Sequence, residues 1–152
     1  MIDFIILEEQ EFEKEKYKII IEKTMMNYDI NYNIKPFQVS DLENNKSFKV
    51  YLIEINSKKD NIEIIEKIRE EQDDWQSMII TLSNTSEYKR LILEKRLLIV
   101  DYIEKISNWD KRLMSALQIC LKNFDQRPNS LKYCYKKIIY NIDYCKILYI
   151  EK

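Results

Sequence analysis

Across 152 residues the chain contains no glycine, where average usage would supply about 10. Glycine lets a backbone turn through positive φ and approach a bound phosphate closely. Its absence removes both the Walker-type loop and the dinucleotide-binding loop. Histidine is absent as well. With it go Ser-His-Asp and Cys-His catalysis, HExxH zinc sites and most zinc fingers. Ordinary hydrolase and nucleotide-enzyme readings end there, and the chain is not expected to be an enzyme.

Asp3, Glu8, Glu9, Glu11, Glu13 and Glu15 crowd the amino-terminal segment, the opposite of a basic signal-peptide start. Apolar runs such as Leu97 to Val100 fall far short of the roughly 18 residues of a spanning helix. Cys120, Cys134 and Cys145 are odd in number and, without histidine, make a poor metal set. They read as small apolar residues in a reducing compartment. The expectation is a soluble, cytoplasmic protein with no membrane partner.

Ile2 to Leu7 reads as a strand, followed by a helix from about Phe12 to Met26. Ile30 to Phe37 reads as a second strand, and Ser40 with Glu43 has the capping-box spacing of a very short helix. Phe48 to Ile55 is an apolar run of the kind covered on both faces of a sheet. Asp60 and Glu63 cap a helix with Ile62, Ile65 and Ile68 on one side. Met78 to Leu82 is a fourth strand, and Asn84 and Glu87 cap a fourth helix ending near Arg96. Leu98 to Ile103 is a fifth strand. Ser107 and Asp110 then start a fifth helix with Leu113, Leu117, Cys120 and Phe124 at helical spacing. Alternation of this kind predicts a doubly wound, five-stranded parallel sheet with helices on both faces.

The pattern changes at residues 125–129, a short polar linker. Leu131 to Ile142 and Ile147 to Ile150 read as two strands without helices. Residues 125–152 carry 6 basic and 3 acidic groups, against 19 and 23 in residues 1–124. An acidic α/β domain over 1–124 and the start of a basic β module over 130–152 are expected.

In an open parallel sheet, functional groups gather beyond the carboxyl ends of the strands. Strand one ends in Glu8-Glu9, strand three in Glu54 and strand four in Ser83. Strand five runs through Tyr102 to Lys105. This set resembles the receiver domain of two-component response regulators. The likeness rests on Glu8-Glu9, Tyr51-Leu52-Ile53-Glu54-Ile55, Ile79-Ile80-Thr81-Leu82-Ser83 and Asp101-Tyr102-Ile103-Glu104-Lys105. The segments 138–142 and 147–151 resemble the opening strands of a LytTR-type DNA-binding domain, which would contact DNA only once complete. The resemblance implies strand order 2-1-3-4-5 and a place in a phosphorelay controlling transcription. It also implies a sensor histidine kinase as partner and a homodimer through the helix 4–strand 5–helix 5 face. Tyr88, Lys89, Arg90, Arg96, Lys111 and Arg112 could pair there with Glu87, Glu94 and Glu104, although a solvated mixed-charge surface is the reading that the sequence favours, because exposed pairs stabilise little.

In receivers an Asp at the end of strand three accepts a phosphoryl group beside Mg2+, and a Ser/Thr, a switch aromatic and a Lys respond. Those positions correspond here to Glu54, Ser83, Tyr102 and Lys105, with Glu8, Glu9 and Glu54 as the metal-side carboxylates. The extra methylene of Glu54 moves its carboxylate by roughly 1.5 Å, enough to spoil in-line attack. Glu8 and Glu9 crowd the Mg2+ position in the same way, so no resident cofactor is expected. Asn61 stands at the usual glycine turn, where asparagine tolerates left-handed geometry. Glu54 reaching Lys105 would imitate the phosphorylated state; an inert strand-end ion pair is the other reading. A Mg2+-dependent phosphorylatable receiver, and a receiver-like interaction domain with no switch, complete the alternatives.

Overall fold

The computed structural model describes residues 1–43, 47–56, 60–126, 130–135 and 138–143. Five strands, β1 (Ile2–Leu7), β2 (Tyr32–Pro36), β3 (Phe48–Glu54), β4 (Met78–Ser83) and β5 (Asp101–Glu104), form one parallel sheet in the order β2-β1-β3-β4-β5. This is the doubly wound receiver-like arrangement that the alternation predicts. β3 lies in the middle and is buried along its whole length, as its unbroken apolar run requires.

Side-chain alternation along the strands divides the core in two. Phe4, Val50, Leu52, Ile80 and Leu82 face helices α1 (Glu11–Met25) and α4 (Trp109–Gln126). Ile5, Tyr51, Ile53, Ile79 and Tyr102 face α2 (Asp60–Glu66) and α3 (Lys89–Glu94). Ile62, Ile65 and Ile68 form the expected buried stripe, the last of them within a π-helical turn (Lys67–Glu71) that prolongs α2.

Several boundaries differ from expectation. Between β2 and β3 the connection is a single 3-10 turn, Val39–Leu42, capped by Gln38 and Asp41 instead of by Ser40 and Glu43. Beside it Lys49 is buried, its ammonium donating to the Asp41 carbonyl. α3 begins five residues after Asn84, because Ser83 and Thr85 accept hydrogen bonds from the amides of Thr85 and Glu87 and hold that stretch as turns. β5 starts at Asp101 instead of Leu98. Arg96 and Leu98 take positive φ (53° and 48°), and Arg69 draws the carbonyls of Leu97 and Leu98 inward at 2.8 and 2.9 Å. Asn61 is not a left-handed turn residue: it lies in the first turn of α2, and its amide donates to the Glu54 carbonyl.

Helix α4 runs through Gln126, so the first two residues of the expected linker are helical; residues 127–129 lie outside the described residues. The expected strand Leu131–Ile142 is a hairpin, β6 (Ser130–Tyr135) pairing antiparallel with β7 (Ile138–Asp143). The expected strand Ile147–Ile150 lies outside the described residues. No helix among the described residues is long and apolar enough to cross a membrane.

Candidate functional site

Parallel pairing brings the carboxyl ends of β1, β3, β4 and β5 to one edge, with Glu54 beside Leu82 and Ser83 beside Glu104. Glu54 is 1% exposed. Lys105 follows β5 and is fixed there by its amide, which donates to the Ser83 carbonyl at 2.8 Å. Its side chain is 7% exposed, and its Nζ lies 2.7 Å from Glu54 Oε1. The other carboxylate oxygen of Glu54, Oε2, accepts the hydroxyl of Tyr17. Lys105 Nζ is 3.2 Å from both the Tyr17 oxygen and Glu13 Oε2. Four side chains from α1, β3 and the segment after β5 thus close into one network.

Tyr17 and Glu13 are the members that sequence reasoning missed. They stand four residues apart on α1, so they project from adjacent turns. Tyr17 belongs to the core-facing side with Ile20, Ile21 and Met25, and its ring meets Trp109 edge-on at 5.9 Å between centroids. The available signal was a tyrosine on a buried apolar stripe, because its hydroxyl must find a partner there. The partner's identity was not readable.

Burial pushes the Glu54 carboxyl above its ordinary range; hydrogen bonds from Lys105 and Tyr17 oppose that without cancelling it. For Lys105, burial works against the charge, but Glu54 and Glu13 outweigh it and hold the ammonium above its usual range. Burial and the neighbouring Glu54 carboxylate push the Tyr17 hydroxyl far up. At Glu13 the burial penalty is outweighed by Lys16 and Lys105, which hold its carboxyl below the usual range.

The remaining expected residues divide. Glu8 is buried, accepts the Gln10 amide just before α1 at 2.9 Å, and acts on Glu54 through its charge. Glu9 is exposed. Ser83 donates to the Ile55 carbonyl at 2.7 Å. The Tyr102 ring is buried and its hydroxyl donates to the Thr85 carbonyl at 2.6 Å. The edge therefore holds two networks, Glu54–Lys105–Tyr17–Glu13 and a backbone-anchored Ser83–Thr85–Tyr102 set.

Mg2+ asks for near-octahedral oxygen ligands and tolerates little misplacement. Here both Glu54 oxygens are engaged, Glu8 is turned to an amide and Glu9 to solvent. As arranged, these carboxylates do not fit the ion. Among the described residues no three of His, Cys, Asp and Glu are placed to hold a metal.

On the α3–β5–α4 face, Leu97 is buried and Leu98 is 70% exposed. Arg90 pairs with Glu94 at 2.7 Å, and Arg112 holds Asp101 with two bonds of 2.8 and 2.7 Å.

No protein-family model matches this sequence, and no curated protein does. Solved structures match it in fold. One, the bacteriophytochrome response regulator RtBRR, superposes with a TM-score of 0.52 at 10% identity, over 90% of this chain and 84% of that one. At that identity the likeness is one of fold, and it places this chain among receiver-like α/β structures.

Proposed function

We propose that the chain is the regulatory receiver module of a LytTR-type response regulator that works without phosphorylation. The observation that carries this reading is the engagement of both Glu54 oxygens, one by Lys105 and one by Tyr17. A phosphorylated acceptor would add about −1.5 to −2 charges at this edge and recruit Lys105. Glu54 supplies a negative partner for Lys105 permanently, so the module rests in the arrangement that phosphorylation would otherwise produce.

Output in this reading is self-association through the α3–β5–α4 face, supported by the exposed Leu93 and Leu98. DNA is reached only through a complete LytTR domain, transcription is the controlled process, and the setting is cytoplasmic. A sensor histidine kinase would act on this module by contact instead of by phosphate transfer, and the module turns over no substrate.

The test is intact-protein mass spectrometry after incubation with a small acyl phosphate and Mg2+. An unchanged mass is expected; a gain of about 80 Da, one phosphoryl group, would establish a Mg2+-dependent phosphorylatable receiver instead. Glu54→Gln should also shift the oligomeric state and the environment of Tyr102. If neither moves, the chain is a receiver-like interaction domain with no switch.

A further inference from the structure

Helix α1 is apolar on two opposite sides. Tyr17, Ile20, Ile21 and Met25 bury against the sheet and α4, which is all that one surface helix requires. On the outer side Phe12, Ile19 and Met26 are 71%, 47% and 83% exposed. Residues seven apart drift only about 20° around a helix, so these three make one straight stripe roughly 21 Å long.

The stripe has ordered charged borders. Glu15 and Glu22, four before and three after Ile19, lie along one side; Lys16 and Lys23, three before and four after, lie along the other. Lys16 is steadied by Glu13 at 3.0 Å, with its ammonium 4.3 Å from the centroid of the Phe12 ring. Glu15, Glu22 and Lys23 make no ion pair among the described residues.

We infer that this face of α1 pairs with α1 of a second copy, side by side and parallel. A two-fold axis along the helices sets Phe12, Ile19 and Met26 against their own counterparts. The same axis lays the acidic border of each helix on the basic border of the other, Glu15 toward the second copy's Lys16 and Glu22 toward its Lys23. Antiparallel pairing would oppose acidic to acidic and basic to basic, which repel. An interface built on one helix belongs to the small, transient class. It shares no residue with the α3–β5–α4 face and does not rest on the reading of Glu54.

The full chain carrying Cys134→Ser and Cys145→Ser provides the background for cross-linking. Phe12→Cys alone, and Met26→Cys alone, should each give a disulfide-linked dimer on mild oxidation. Cross-linking only when the two variants are mixed, or in neither case, would overturn the proposal. In sedimentation velocity Ile19→Asp should weaken association about tenfold or more, and unchanged association would equally overturn it. Glu15→Lys with Glu22→Lys should dissociate on its own and associate again when mixed with Lys16→Glu/Lys23→Glu. These positions are on the outer side of the helix, and circular dichroism checks that each variant stays folded. Should Leu98→Asp dissolve the dimer while Phe12→Cys fails to cross-link, the α3–β5–α4 reading stands and this one falls.

Discussion

Nζ of Lys105 lies 2.7 Å from Oε1 of Glu54, and both side chains are almost wholly withdrawn from solvent. Removing one partner of such a pair strands a charge in the interior, at a cost of about 3–5 kcal/mol. Replacing both by apolar groups of similar size is often neutral. Lys105→Met should therefore lower the unfolding free energy by about 3–5 kcal/mol in urea titrations, and Lys105→Met with Glu54→Leu and Tyr17→Phe, which leaves no hydroxyl without a partner, should recover most of it. A loss below about 1 kcal/mol for Lys105→Met would mean that water screens the pair as it does at a surface.

Tyr17→Phe keeps the ring against Trp109 and deletes only the hydroxyl that serves Glu54 Oε2. A buried acceptor left without its donor costs about 1–3 kcal/mol. Tyr51→Phe is the control: its hydroxyl is buried too, but it stands 3.4 Å from the Asp41 carbonyl, near the limit of a hydrogen bond. Chemical denaturation should rank Tyr17→Phe as clearly more costly than Tyr51→Phe. Equal losses would show that hydroxyl burial alone, and not the network, sets the effect.

Tyr17 and Lys105 both hold their protons more tightly when folded. For Tyr17 the causes are burial, then Glu54; for Lys105, Glu54 and Glu13 overcome an opposing burial effect. In the unfolded chain they release protons near their ordinary values, about 10 and 10.4. Below that range their contribution to stability is complete. Above it the unfolded state binds fewer protons than the folded one, so stability falls as pH rises toward the folded values. Denaturation midpoints measured from neutral pH upward should decline beyond about pH 10, and Tyr17→Phe should decline less steeply. A Tyr17→Phe profile parallel to the parent would remove Tyr17 from this linkage.

The sheet was legible because each strand announces itself: a continuous apolar run for β3, and polar residues where the strands end. Glu54 and Lys105 could be brought together from topology alone, since parallel strands deliver their carboxyl ends to one edge. Tyr17 could not, because its bond to Glu54 spans 37 residues of chain and no local periodicity encodes it. The boundaries of α3 and β5 were misjudged for a related reason. The Asn84/Glu87 spacing competes with Ser83 and Thr85, whose hydroxyls hold the following amides as turns. The guanidinium of Arg69, distant in sequence, sets the conformation around Leu97 and Leu98.

Arg69 is itself buried, donating to the carbonyls of Leu97 and Leu98 and, at 2.6 Å, of Asp74. Three backbone acceptors served by one planar fork are not matched by an ammonium. Arg69→Met should cost roughly 3 kcal/mol or more by leaving acceptors unpaired, and Arg69→Lys should rescue less than half of it. Amide hydrogen exchange around residues 96–99 should accelerate in both. Full rescue by Lys would mean that charge, and not the fork, is what this loop requires.

A chain without glycine must place other residues in the left-handed region, and here Asp73, Arg96, Leu98 and Asn108 occupy it, at φ 50°, 53°, 48° and 62°. Asp and Asn bear this at modest cost, since their short polar side chains bond locally, whereas Leu does so at roughly 1–2 kcal/mol. Leu98 is also 70% exposed, so its side chain contributes little packing to offset the strain. Leu98→Gly relieves the clash but gives the unfolded chain more freedom, worth about 0.4–1 kcal/mol in the other direction. Leu98→Asn avoids most of that penalty. In dilute solution, where self-association is absent, Leu98→Asn should raise stability by about 0.5–1 kcal/mol, with Leu98→Gly between it and the parent. A fall in the denaturation midpoint for Leu98→Asn would show that the leucine side chain holds this corner by packing.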